Sequence, residues 1–321
     1  MALSEFSIIE TYFRRKIKER RVISGVGDDA AVIEIPADQQ IVTSIDTLVK
    51  NVHFSADTLP HDLGYKALAV NLSDLAAMGA KPDTALLALT LEKINKKWLK
   101  DFSEGFFSLA EQYGVSLIGG DITEGPLCIS VVVNGIVPRR KAIYRSGAKV
   151  GDLIYVTGTI GDASLALDLL NKKYKKIDLF LLKRLHCPSP RIKVGLVLRG
   201  IASAAIDISD GLISDLEKIT FASKVGARIY ADRLPLSENL KQYCGLKKAW
   251  NYALASGDDY ELCFTVPNKK TSKLKRLFKS LNCEYQCIGE IIEETVVLVM
   301  DDQNQQLEII KKGYEHFRGK K

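Results

Sequence analysis

Acidic residues recur in this chain where an apolar, strand-like run gives way to Gly or Ser. The sites are Gly27-Asp28-Asp29, Thr43-Ser44-Ile45-Asp46, Gly119-Gly120-Asp121, Asp207-Ile208-Ser209-Asp210-Gly211 and Gly257-Asp258-Asp259. A further acid, Asp74, falls mid-helix in NLSDLAAMG. Carboxylates at strand ends stand on a rigid sheet yet face the crevice where α/β folds bind ligands. One such Asp is ordinarily a turn or cap residue, because its side chain bonds its own backbone. Adjacent acids at several strand ends are harder to assign to turns. Like charges ~4 Å apart repel by about 4 kcal/mol at an effective dielectric of about 20, so converging them requires a cation. Oxygen ligands without His or thiolate point to magnesium, which usually shares its shell with substrate phosphates.

Other phosphate-handling motifs are missing. The sequence has no G-x-x-x-x-G-K-[ST], no H-R-D and no D-F-G, which excludes a P-loop and the protein-kinase set. Gly25-Val26-Gly27-Asp28-Asp29-Ala30 fits a relaxed dinucleotide pattern, but the strand-like AVIEIP follows it where a helix is required. Gly119-Gly120 before Asp121 would let backbone approach a phosphate, or is a plain strand-to-turn pair. Arg145, in a basic stretch, offers either a forked grip on phosphate or an exposed linker charge. His53 taken alone reads as a structural histidine and Phe317 as an anchor of the tail.

These residues need elements to carry them. Periodicity predicts helices over 5–20, 62–79, 95–113, 161–171, 190–202, 211–224 and 271–281. Strands are expected at 30–35, 40–45, 84–91, 115–120, 127–137, 153–158, 204–209, 227–231 and in QCIGEII and TVVLVM. The polar, turn-rich PRRKAIYRSGAKVGD (138–152) separates an N-terminal domain, 1–138, from a C-terminal one, 150–321. Both are α/β, mixed layers of helix and sheet. The 321 residues, 46% hydrophobic and 26% charged, exclude wholesale disorder and supply two cores. The net charge of +6 is scattered, so no nucleic-acid partner is expected. Six cysteines without a C-x-x-C, mostly in apolar runs, predict free thiols in a cytoplasmic protein. The N-terminal stretch has no long apolar core and carries early acids, so no secretory signal is expected, and no apolar run approaches the ~18 residues of a membrane span.

The segments SEFSIIETYF, GVGDDAAVI, SIDTLVKNVHF, GYKALAVNLSDLAAMGAKP, LIGGDIT, YRSGAKVGDLIYVTGTIGDASLAL, IDISDGLISDL and SGDDYELCFTV keep their order over nearly the whole chain. In them the sequence resembles the thiamine-monophosphate kinase family of the AIR-synthetase-like superfamily. SDLAAMGA and DISDGL are shared with relatives; the full series, with D-T-L-V-x-x-x-H-F, is specific. The resemblance implies transfer of the ATP γ-phosphoryl group directly, in line, onto thiamine monophosphate, with several magnesium ions. It also implies a homodimer joined through the N-terminal sheets, and a larger α/β C-terminal domain. By motif, Asp29, Ser44, the Ile45 carbonyl, Asp46, Asp74, Asp121, Asp207 and Asp210 correspond to metal ligands. Gly120, Asp121, Arg145 and Ser209 correspond to ATP contacts, and His53, Asp258 and Phe317 to substrate contacts. Asp46, Asp74 and Asp121 would be the catalytic group. Two positions depart: the family commonly has G-E-D-Y-E-L where this chain has Gly257-Asp258-Asp259-Tyr260-Glu261-Leu262, and often a Trp where the tail has Phe317. Selenophosphate synthetases would want an early reactive Cys, and the first here is Cys128; the hydrogenase-maturation relatives would want a C-terminal Cys, and the tail reads HFRGKK.

Overall fold

Alternation along Cys128–Pro138 sends Ile129, Val131, Val133 and Val137 to one face, and in the computed structural model of the chain none is more than 1% exposed. The structure describes residues 4–16, 21–308 and 313–314. The chain divides into two compact units, one of Met1–Leu75 and Ala80–Arg140, the other of Ala76–Gly79 and Lys141–Lys321.

The first unit opens with α1 (Glu5–Ile8), capped by the Ser4 side chain, which runs into a π-turn over Ile9–Phe13. The predicted helix over 5–20 is thus shorter in its described part, and residues 17–20 lie outside the described ones. A small antiparallel pair follows, β1 (Val22–Ser24) and β2 (Val32–Ile33). Then come β3 (Gln39–Val49), α2 (Pro60–Ala77), β4 (Lys81–Leu91), α3 (Lys96–Tyr113), β5 (Ser116–Glu124) and β6 (Cys128–Pro138). The four long strands form one sheet in the order β3-β6-β4-β5, with β4 and β5 parallel and the other pairs antiparallel. Every residue of α2 from Ala67 to Ser73 is at most 2% exposed, as expected of a helix apolar nearly all round. By contrast α3 buries one stripe, Leu99, Phe102, Phe106 and Leu109, between an Asn95 cap and a left-handed Gly114.

The second unit contains β7 (Leu153–Thr157), α4 (Asp162–Asn171), α5 (Leu179–His186), α6 (Ile192–Leu198), β8 (Ala204–Asp207), α7 (Leu212–Ser223) and β9 (Gly226–Tyr230). It continues with α8 (Glu238–Cys244), α9 (Leu246–Ala255), β10 (Leu262–Val266), α10 (Thr271–Phe278), β11 (Tyr285–Ile292) and β12 (Val297–Met300). Its mixed sheet runs β12-β9-β11-β7-β10-β8, with a core that includes Ile154, Val156, Ile206, Leu216, Ile229 and Ile288. The sequence reading leaves out α5, α8 and α9. All three are short, at eight, seven and ten residues, so tertiary packing rather than periodicity defines them.

Candidate active site

In the first unit β3 alternates so that Ser44, Asp46 and Leu48 are less exposed than Thr43, Ile45 and Thr47 between them. Ser44 and Asp46 therefore share a face, and Ser44 Oγ donates to Asp74 Oδ2 of α2 at 2.5 Å. Two of the expected metal ligands thus touch across a helix-on-strand contact, and a third, Asp46, shares the strand face. The strand-end reading of the acids needs correction here, because Asp46 lies inside β3 and Asp121 inside β5. Gly120 is likewise a strand residue and no turn: a Cβ there would fall 1.9 Å from the Leu87 carbonyl oxygen of β4. Gly120 and Asp121 line, with Gly25, Gly27, Asp28 and Asp29, a cavity of about 470 Å³, a size usual for small-molecule sites.

The register has a consequence. Asp46 on β3 and Asp121 on β5 occupy the two outermost strands of the sheet, and three strand spacings put roughly 14 Å between those strands. Among the described residues no group of three or more His, Cys, Asp or Glu side chains is placed to hold a metal. Magnesium is commonly held by one or two carboxylates together with phosphate oxygens, not by an all-protein cage. The donors here, all oxygen, with Ser44 and Asp74 in contact, fit that mode. His53 closes a turn: the Val49 N–H donates to His53 Nδ1 at 3.0 Å, so a neutral ring carries its proton on Nε2.

In the second unit Asp207 ends β8, is buried and pairs with Leu262 of β10. Just beyond it the backbone N–H groups of Ser209, Asp210 and Gly211 all donate to Asp215 Oδ2, at 3.0, 3.0 and 3.1 Å. Burial pushes the Asp215 carboxyl up, while Lys218 pulls it back. Lys218 Nζ bridges Asp210 at 2.6 Å and Asp215 at 2.7 Å, so Asp210 has an ammonium partner. The sequence reading missed both residues. Their signal was present: an acid in the first turn of a helix, then a Lys three residues on.

The loop after α9 lies against this turn. Asp258 N–H donates to the Ser209 carbonyl and Tyr260 N–H to that of Ile208. The approach is close enough that a Cβ on Gly257 would fall 1.9 Å from the Ser209 oxygen. Asp258 and Tyr260 are both left-handed, at φ +70° and +51°, which costs about 1–2 kcal/mol for each non-glycine residue. Alternate residues hold them there. Both carboxylate oxygens of buried Asp259 accept the Gly161 N–H, at 3.0 and 2.9 Å. Buried Glu261 receives Arg191 through Nε and Nη2 at 2.6 and 2.5 Å, and Thr157 Oγ1 at 2.6 Å. Arg145 is exposed, and its carbonyl accepts from Ser223 Oγ. Phe317 lies outside the described residues.

Burial pushes the Asp259 carboxyl well above the usual carboxylate range, against the pull of Arg184. An acid whose pKa is raised on folding stabilises the fold while protonated. That contribution fades as pH rises from about 4 toward the raised value. Asp259→Asn should therefore improve against the parent in Tm as pH rises through this window, in a thermal series at stepped pH. A constant Tm difference would refute it.

Comparison with known proteins follows the same division. Residues 27–137 match the family model of the AIR synthase related protein N-terminal domain, and 149–301 that of the C-terminal domain. The chain is 46% identical to the thiamine-monophosphate kinase of Escherichia coli (strain K12), over 99% of each. It is similar to the crystal structure of the thiamine-monophosphate kinase from Stenotrophomonas maltophilia K279a, with a TM-score of 0.87 and 43% identity, covering 93% of this chain and 97% of that one. It is also similar to AaThiL complexed with AMPPCP and TMP, with a TM-score of 0.78 and 32% identity, covering 91% and 92%.

Proposed function

The chain belongs to the thiamine-monophosphate kinase family, and on that premise we propose that it transfers the γ-phosphoryl group of ATP in line onto the phosphate of thiamine monophosphate, yielding thiamine diphosphate. The observation that carries this reading is the cavity where Asp29, Gly120 and Asp121 meet. Gly120 leaves room for phosphate beside bare backbone, and the two acids supply oxygen for the ions that accompany it. The relative complexed with AMPPCP, an ATP analogue, and TMP supports the pairing of substrates.

Phosphate attacking phosphate gathers negative charge, so catalysis rests on positioning and charge stabilisation and requires no covalent enzyme intermediate. Magnesium, when bound, neutralises charge on the transferring group. Asp29, Ser44, the Ile45 carbonyl, Asp46, Asp74, Asp121, Asp207 and Asp210 are its proposed ligands. Asp46, Asp74 and Asp121 serve as the catalytic group. Gly120, Asp121, Arg145 and Ser209 hold ATP; His53, Asp258 and Phe317 meet the thiamine portion. A magnesium-dependent assay with ATP and thiamine monophosphate, reading thiamine diphosphate by chromatography, tests the reading. Absence of product with this acceptor would overturn it.

The same reading makes the protein a cytoplasmic homodimer. Support comes from the first unit's sheet. Ile45 is 61% exposed and Ile41 41% exposed on the β3 face opposite Ser44 and Asp46. Joining β5 to a neighbouring β3 would also bring Asp121 toward the partner subunit's Asp46. Ile45→Lys should yield a monomer in sedimentation velocity at micromolar concentration. A dimer of unchanged sedimentation coefficient would count against this interface.

A further inference from the structure

Resting on the reading of Asp258 as a contact to the thiamine portion, we infer that Tyr260 is a positioning residue that aims the Asp258 carboxylate at the acceptor. Tyr260 OH donates to Asp258 Oδ1 at 3.0 Å, from the same loop and only two residues away. Such a bond is built by the backbone. In an extended strand residues i and i+2 project in parallel; here both are left-handed, which turns phenol and carboxylate toward each other.

The backbone beneath them has no slack. Asp258 and Tyr260 N–H groups are bonded to Ser209 and Ile208, Ser164 Oγ donates to the Gly257 carbonyl at 2.8 Å, and Asp259 and Glu261, which alternate with them, are fully buried. With the main chain fixed, the bond from the phenol bears directly on the rotamer of the Asp258 side chain. The acceptor chemistry suits a carboxylate held in this way. Thiamine monophosphate carries a cationic thiazolium and an amino group on its pyrimidine, and a directed carboxylate receives N–H or offsets positive charge. A carboxylate repels the anionic phosphates of ATP, so the expected effect of Tyr260 falls on the acceptor.

Steady-state kinetics with ATP and thiamine monophosphate varied separately test this on Tyr260→Phe, Asp258→Asn and the double variant. Tyr260→Phe keeps the ring and removes the hydroxyl that donates to Asp258. It should raise KM for thiamine monophosphate about tenfold, with KM for ATP and kcat within about twofold of the parent. Asp258→Asn should raise KM for thiamine monophosphate at least as far, and the double variant should be no worse than Asp258→Asn alone. A Tyr260→Phe enzyme with parental acceptor KM, or a double variant in which the two effects multiply in full, overturns the inference. An Asp258→Asn enzyme with parental acceptor KM overturns it too, while parental turnover leaves the kinase reading standing. A parent that makes no thiamine diphosphate removes both.

Discussion

Replacing Asp46 or Asp121 with Asn should lower kcat by about three orders of magnitude or more and leave the protein folded. Asn keeps the shape of Asp and deletes its charge, so the substitution isolates electrostatics. Neither residue sits in the core: Asp46 is half-buried and Asp121 exposed. The folded state therefore loses little, and the thermal midpoint should stay near that of the parent. On the proposed reading the reaction should lose much, since each change removes one of the charges proposed to hold cations against a polyphosphate. Near-parental kcat in both variants would defeat the assignment. Mixing the two inactive proteins extends the test. With Asp46 and Asp121 on opposite outer strands, an active site that draws one acid from each subunit is whole in half the sites of a mixed dimer. Recovery of activity on mixing is the expected result; a mixture as dead as its components would assign both acids to one subunit.

What the sequence revealed and what it hid follow a physical line. Long strands such as β6 were legible because alternation is local and one face is wholly buried. Asp46 and Asp121 were recognisable as unusual, yet their setting was misread, since Gly and Ser beside an acid look like the end of a strand. Gly119-Gly120 is instead strand, and Gly120 is required by β4, whose Leu87 carbonyl leaves no room for a side chain there. No local pattern reports such an approach. The same holds for Glu261, which meets Arg191 across 70 residues of chain and Thr157 across 104. The Asp210–Lys218–Asp215 group, by contrast, spans little sequence and a closer reading of α7 would have found it.

Glu261→Ala should destabilise the second unit by about 3–5 kcal/mol, the usual consequence of removing one partner from a buried ion pair. Glu261 is fully buried and faces two guanidiniums, Arg191 at 2.5 Å and Arg184 at 3.0 Å, whose side chains are 19% and 12% exposed. Truncation leaves both cations in a poorly solvated pocket and strips Thr157 of its acceptor. The two charges left behind, more than any attraction lost, make the change severe. Glu261→Gln, which fills the space and still accepts, should fall between the parent and Glu261→Ala. Removal of Glu104, exposed and 3.8 Å from exposed Lys100, should leave the midpoint where it is. The chain has two tryptophans, Trp98 in the first unit and Trp250, buried, in the second. Urea unfolding followed by Trp250 fluorescence in a Trp98→Phe background therefore reads the second unit alone. A Glu261→Ala midpoint equal to the parent's would show that the two arginines find water or other partners, and that the left-handed pair at 258 and 260 is held in place without this anchor.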